Sequence, residues 1–252
     1  LRGGHDGAVS DPVVQRYRAA RRDPDLALLE GFHALKHALR FGADLLEAVS
    51  SDPSELDRLA TDLAPDLAGT LAERTAPVSE QALAELVPHA PRTGVVAIAR
   101  RPVVDLTAVL ADERQAPVVL LEDPRTMGNM GACVRVAAAA DAAAVLTTGS
   151  NDPWHPEALR GAAGLHFALP VSHLDSLPAG ERPLLAIDPE GDVLGEREID
   201  PRAILAFGTE RYGLSEELLE RADARLAIPM REGVSSLNLA TTVSAVLFSR
   251  LL

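Results

Sequence analysis

Residues 118–149 read "VVLLEDPRTMGNMGACVRVAAAADAAAVLTTG", and this stretch decides the fold. It opens on a continuously apolar run from Val118, passes through the turn-forming "EDPRTMGNMG" and enters a helix-forming segment that carries Arg135. A second apolar run, "AAVLTT", follows. Short apolar runs on either side of a helix predict parallel strands buried on both faces. At the junction, Gly128, Asn129 and Gly131 are expected in the loop, with Asn129 capping the helix. Arg135 is expected on the second turn, on the face it shares with Gly131 four residues earlier. Alanines at 137 to 140 leave room for a close neighbour. Taken alone, this is a helix cap with a surface arginine.

Downstream the alternation continues through the strand-like "PLLAID", "ILAFG" and "RLAIPM". In "ILAFGTERYGLSEELLERADARLAIPM", Gly208 ends a strand, Glu210 follows, and Gly213 turns into a helix capped near Ser215. A glycine loop before a helix can receive a phosphate, but Glu210 suits a cation, a hydroxyl or an arginine better. The end, "IPMREGVSSLNLATTVSAVLFSRLL", places Leu239, Val243, Val246 and Leu247 at helical spacing. Gly233, Ser235, Ser236 and Asn238 stand at the mouth of that helix. Each of these loops could be a cap alone. All three follow strands of one sheet, where ligands bind in such folds.

Upstream, "LALLEG", "LLEAVSS" and "GVVAIAR" read as strands, and "FHALKHALRFG", "DPSELDRLATDLA" and "SEQALAELV" as helices. Asp52 is the expected N-cap of the second helix, with Pro53 in its first turn and Glu55 reaching back. "RPVVDLTAVLADERQAP" is a connector containing a short helix. The expected organisation is an arm at 1–24, a small α/β domain at 25–108 and a larger parallel-sheet domain at 109–252.

The 252 residues are 47% hydrophobic and 24% charged, which suits one large or two modest globular domains. A net charge of −13 argues against a protein that coats nucleic acid indiscriminately. A local basic stretch remains: "PVVQRYRAARR" carries Arg16, Arg18, Arg21 and Arg22 without an acid, either an RNA contact or a solvated helix end. No run is long and apolar enough for a membrane span, so no membrane partner is expected. Cys133 is the sole cysteine, which precludes an intrachain disulfide and fits a reducing cytoplasm. It reads as small packing, and Trp154 as a loop anchor. Neither a dinucleotide G-x-G-x-x-G nor a P-loop is present. His33 and His37 lie four apart but lack an H-E-x-x-H context, and no metal is expected.

Together the three blocks resemble the SpoU (TrmH-like) RNA methyltransferases of the SPOUT superfamily. The family's N-x-G-x-x-x-R matches Asn129, Gly131 and Arg135. G-x-E-x-x-G-L-S followed by I-P-M matches Gly208, Glu210, Gly213, Leu214, Ser215, Ile228, Pro229 and Met230, and S-S-L-N matches Ser235 to Asn238. The smaller first domain resembles the family's ribosomal-protein-like substrate-binding domain. Two departures stand out: the first loop is longer than D-P-x-N-x-G, and "RGAAG" puts Ala162 where R-x-S-x-G has a serine.

The resemblance implies an α/β fold whose C-terminal segment forms a trefoil knot, and a homodimer. It implies S-adenosyl-L-methionine wrapped by Thr147, Gly149, Gly208, Ile228, Met230, Ser236 and Leu237. It implies methylation of a ribose 2′-OH in rRNA or tRNA by Arg135, Glu210, Asn238 and Asn129. The alternative it leaves is a catalytically weak or inactive RNA-binding factor, on the strength of Ala162.

Overall fold

Short strands buried along most of their length, rather than long helices, organise this chain. The computed structural model describes residues 12–196, 198–209 and 212–250; Glu210 lies outside the described residues. Two sheets are present. The first is mixed, in the order β1 (Leu26–Glu30), β4 (Val95–Arg100), β2 (Leu45–Ser50), β3 (Thr75–Pro77), with β4 antiparallel to both of its neighbours.

The second sheet is parallel throughout. Its order is β10 (Ala224–Ala227), β8 (Leu184–Val193), β9 (Ile204–Phe207), β5 (Val118–Leu121), β6 (Ala144–Thr147), β7 (Val171–His173). Every residue of β5, β6 and β9 is buried, as continuous apolar runs predict. The pleat divides them between two faces. Val119, Leu121, Val145, Leu205 and Phe207 face one core, and Val118, Leu120, Leu146, Ile204 and Ala206 the other.

Helices α7 (Met127–Ala139), α8 (Pro156–Gly161) and α10 (Leu239–Ser249) cover the first face through Met130, Val134, Leu159, Val243 and Leu247. On the other face lie α6 (Leu106–Ala111) and α9 (Glu216–Arg221), with Val109 and Leu218. Val109 of the connector helix packs under the second sheet.

The first core also takes in Leu29, Phe32 and Leu35 of β1 and α2 (Phe32–Arg40), so one apolar interior runs along both sheets. Between them, Gly164 at φ +76° lies against the Ala34 backbone, the His37 ring meets Ala163 O at 2.7 Å, and Arg160 reaches Glu30 at 2.8 Å.

Residues 12–24 are not a detached arm. Helix α1 (Pro12–Ala20) buries Val14, Tyr17 and Ala20 against Leu28, Val96 and Ile98 of the first sheet. At α3 (Pro53–Leu63), Asp52 caps by accepting from Glu55 N at 2.9 Å. Glu55 does not reach back: its carboxylate pairs with Arg58 at 2.7 Å, a charged donor within one turn.

Candidate active site

The middle of β8 and the C-terminal ends of β9 and β10 bound a cavity of about 330 Å³. It is lined by Ile187, Asp188 and Pro189 after β8's first half, by Phe207, Gly208, Thr209 and Gly213, and by Ile228 and Met230. Ser235, Ser236, Leu237, Leu239 and Thr242 close it from the entrance to α10. Five of the seven residues expected to wrap a cofactor therefore meet here: Gly208, Ile228, Met230, Ser236 and Leu237.

Thr147 and Gly149 do not. They follow β6, which β5 separates from β9 in the sheet order. The Thr147 hydroxyl is buried against His173 Nδ1 at 3.3 Å, and Gly149, at φ +87°, packs on Asp123. In their place stand Ile187, Asp188 and Pro189, which sequence reading missed. Ala186 pairs with Arg225 of β10 and Asp192 with Leu226, so residues 187–190 bulge out of the ladder while Gly191 lies against the Arg225–Leu226 backbone. The sign of that bulge was present in Pro189 and Gly191, two poor strand residues inside a strand-like run.

The glycine loop is closed by its own backbone. Thr209 and Gly213 exchange two hydrogen bonds at 3.0 Å, and a Cβ on Gly208 would collide with the Gly213–Leu214 backbone. Gly208 is thus needed for the loop's turn back on itself rather than for approach by a ligand. Glu122, at the end of β5, accepts from Ser215 N at 2.7 Å and from its Oγ at 2.6 Å, strapping this loop to the neighbouring strand. Sequence reading assigned Glu122 no role.

Asn129 lies within α7, not before it. The helix begins at Met127, with Thr126 at the N-cap position, so Gly128, Asn129 and Gly131 are helical and Arg135 stands on the third turn. Gly131 is there because the Ala158 carbonyl of α8 occupies the space of a Cβ. Asn129 instead accepts from Asn238 Nδ2 at 3.1 Å. Asn238 caps α10, its Oδ1 accepting from Ala240 N at 3.0 Å and from Thr241 N at 3.4 Å. One amide pair joins α7 to α10.

Arg135 does not line the cavity. It is exposed, about 9 Å farther along α7 than Asn129 at ~1.5 Å per residue. Its charge instead bears on His33 and Lys36 of α2. Among the other predicted contacts, Arg16 forms a two-pronged pair with Glu47 at 2.7 and 2.9 Å, and Arg21 pairs with the buried Glu30 at 3.0 Å. Arg18 and Arg22 are exposed. Ala162 is buried in the interior shared by the two domains, where it does not line the cavity. Trp154 anchors its loop through Nε1 to Val171 O at 3.1 Å. Among the described residues no group of three potential metal ligands occurs, and no helix is long and apolar enough to cross a membrane.

Comparison with known proteins gives this geometry a lineage. An uncharacterised tRNA/rRNA methyltransferase of Synechocystis is 30% identical, over 96% of this chain and 91% of its own length. A 23S rRNA adenosine 2′-O-methyltransferase of Streptomyces azureus is 26% identical, over 96% and 93%. The SpoU methyltransferase AviRb of Streptomyces viridochromogenes, solved with AdoMet, shares the fold with a TM-score of 0.77 at 23% identity, over 96% of this chain and 97% of its own. Residues 116–248, which hold the parallel sheet and all three loops of the cavity, match the SpoU rRNA Methylase family, and the chain belongs to that family.

Proposed function

We propose that this protein transfers a methyl group from S-adenosylmethionine to a ribose 2′-OH of ribosomal or transfer RNA, as a metal-free cytoplasmic homodimer. The observation that carries the reading is the cavity itself: Gly208, Gly213, Ile228, Met230, Ser235 and Ser236, from two of the family's three motif blocks, converge there beside Ile187, Asp188 and Pro189 of the adjacent parallel strand β8. Its volume of about 330 Å³ suits a small cofactor. Ile187, Ile228, Leu237 and Leu239 offer apolar walls for a flat base, while Asp188, Thr209, Ser235, Ser236 and Thr242 offer polar groups for a ribose and an amino acid. These residues fit S-adenosylmethionine.

When bound, that cofactor supplies a methyl already activated by its sulfonium, so the protein's share is alignment and the handling of one proton. The planar, cationic guanidinium of Arg135 serves as an anchor for the phosphate beside the target ribose and as a stabiliser of developing alkoxide charge. Asn238, held against Asn129, fixes the ribose. Glu210 orients Arg135 or relays the proton.

Arg135 stands apart from its own cavity, which favours a dimer in which it completes the site of a second copy. Val234, Leu237 and Phe248, at 47%, 38% and 39% exposure, give the cavity's mouth and α10 apolar surface for that contact. A knotted C-terminus accords with the packing of α10 on α7, although β10 and β5 lie three places apart in the sheet. The smaller domain, with Arg18 and Arg22, recruits RNA.

Calorimetry on the full chain tests the cavity. S-adenosylmethionine should bind once per chain with a chelator present. No binding, or binding that requires added metal, would overturn the assignment.

A further inference from the structure

Among the described residues, the wall of the cavity carries a single charged residue, and it is an acid. Asp188 lies in the β8 bulge, between Ile187 and Pro189, and is half-buried. Ile187, Phe207, Ile228, Leu237 and Leu239 supply apolar surface to the same space. The Glu190 amide donates to Asp188 Oδ1 at 2.8 Å, which folds the bulge into a turn and fixes the side chain on it.

The turn alone does not call for a charge, because asparagine closes such a turn as well as aspartate does. What the carboxylate adds is a field. A cavity of about 330 Å³ is under about 10 Å across when compact, which is about one Debye length at 0.1 M salt. Apolar walls weaken screening further, so Asp188 acts on the charge of an occupant wherever in the cavity that charge lies. S-adenosylmethionine carries a sulfonium and an ammonium against one carboxylate, a net positive charge. When the methyl leaves, the sulfur keeps the electron pair of the broken bond and becomes a neutral thioether. The demethylated product, S-adenosylhomocysteine, is therefore neutral overall, and one methyl and one charge are all that separate the two.

We propose that Asp188 sets the cavity's selectivity between cofactor and product, by attracting the sulfonium charge that methyl transfer destroys. This rests on the function proposed above and adds a means of turnover to it. The reaction itself removes the attraction, so the product is held less firmly than the cofactor it came from. Asp188 is a specificity residue in this account; it takes no proton and touches no reacting oxygen.

The test is calorimetry of the full chain with S-adenosylmethionine and, separately, with S-adenosylhomocysteine. Asp188→Asn keeps the oxygen that accepts from Glu190 N and removes only the charge. It should weaken S-adenosylmethionine binding about tenfold and S-adenosylhomocysteine binding less than twofold, so that the ratio of the two affinities falls about tenfold. Asp188→Glu keeps the charge and should hold that ratio within about threefold of the wild type. Raising salt from about 0.05 M to about 0.5 M should lower the wild-type ratio and leave that of Asp188→Asn unmoved. Equal weakening of both ligands in Asp188→Asn would overturn the proposal, because it would place the carboxylate on a hydroxyl or the ammonium that both ligands share. Wild-type affinities in Asp188→Asn, with both lost in Asp188→Ala, would overturn it too and leave Asp188 a turn former. A wild type that binds neither ligand would overturn the underlying function instead.

Discussion

Gly208 has no room for a Cβ, because the backbone of Gly213 and Leu214 fills the space while the Thr209–Gly213 bridge holds it there. Gly208→Ala should therefore open the loop. Overpacking of this kind costs about 1–3 kcal/mol, and spent on the loop that walls the cavity it should weaken S-adenosylmethionine binding about tenfold or more. Calorimetry would check this, with unfolding midpoints to show that the domain still folds; wild-type affinity would mean that the loop does not touch the cofactor. The sequence showed that a glycine was required here but not why, since the clash is with a residue five positions later rather than with a ligand. The same limit hid Glu122, whose two bonds to Ser215 depend on the adjacency of β5 and β9. It also made the four arginines at 16, 18, 21 and 22 look equally available, when Glu47 and Glu30 already hold Arg16 and Arg21.

Helix α10 is the element on which fold and site depend together. Asn238 caps it and also donates to Asn129 across to α7. Asn238→Ala removes both roles and should lower stability by about 1–2 kcal/mol, whereas Asn238→Asp keeps the oxygen that accepts from the helix and should lose much less. Both should reduce methyl transfer, because both remove the amide N–H. Urea unfolding beside initial rates separates the two effects; equal stability loss in the two variants would contradict the capping role. Much at this scale was legible: continuous apolar runs located β5, β6, β8, β9 and β10, and Asp52 and Ser215 were read correctly as caps. The three-residue β3 and β7 escaped because runs so short carry no period. That Thr147 and Gly149 lie away from the cavity was hidden because sequence order does not disclose that β8, not β6, adjoins β10. The start of α7 was misjudged because glycine's low helix propensity was outweighed by Gly131's packing on Ala158.

At the scale of the whole molecule, one interior shared by the two sheets makes acid a common threat to both. His166 is fully buried beside Trp154, its Nε2 donates to Pro153 O at 2.8 Å, and its Nδ1 has no partner. Burial pushes its pKa down to about 4, from 6.5. Between those values the unfolded chain takes up a proton that the folded chain refuses, so stability should fall as pH drops through that window, by at most ~1.4 kcal/mol per pH unit from this residue. His33 and His37, also lowered mainly by burial, act in the same direction. Urea unfolding from pH 7 to pH 5 should show a steeper decline in the wild type than in His166→Gln; parallel declines would remove His166 from the account. The central claim is that this architecture methylates a ribose. Its most direct test is to incubate the purified protein, labelled S-adenosylmethionine and RNA from cells lacking the gene, then identify the labelled nucleoside by mass spectrometry. The expected result is label in a 2′-O-methyl group at a defined site, formed about 100-fold more slowly by Arg135→Ala with cofactor affinity unchanged. Label on a base, no label, or Arg135→Ala working at the wild-type rate would contradict it.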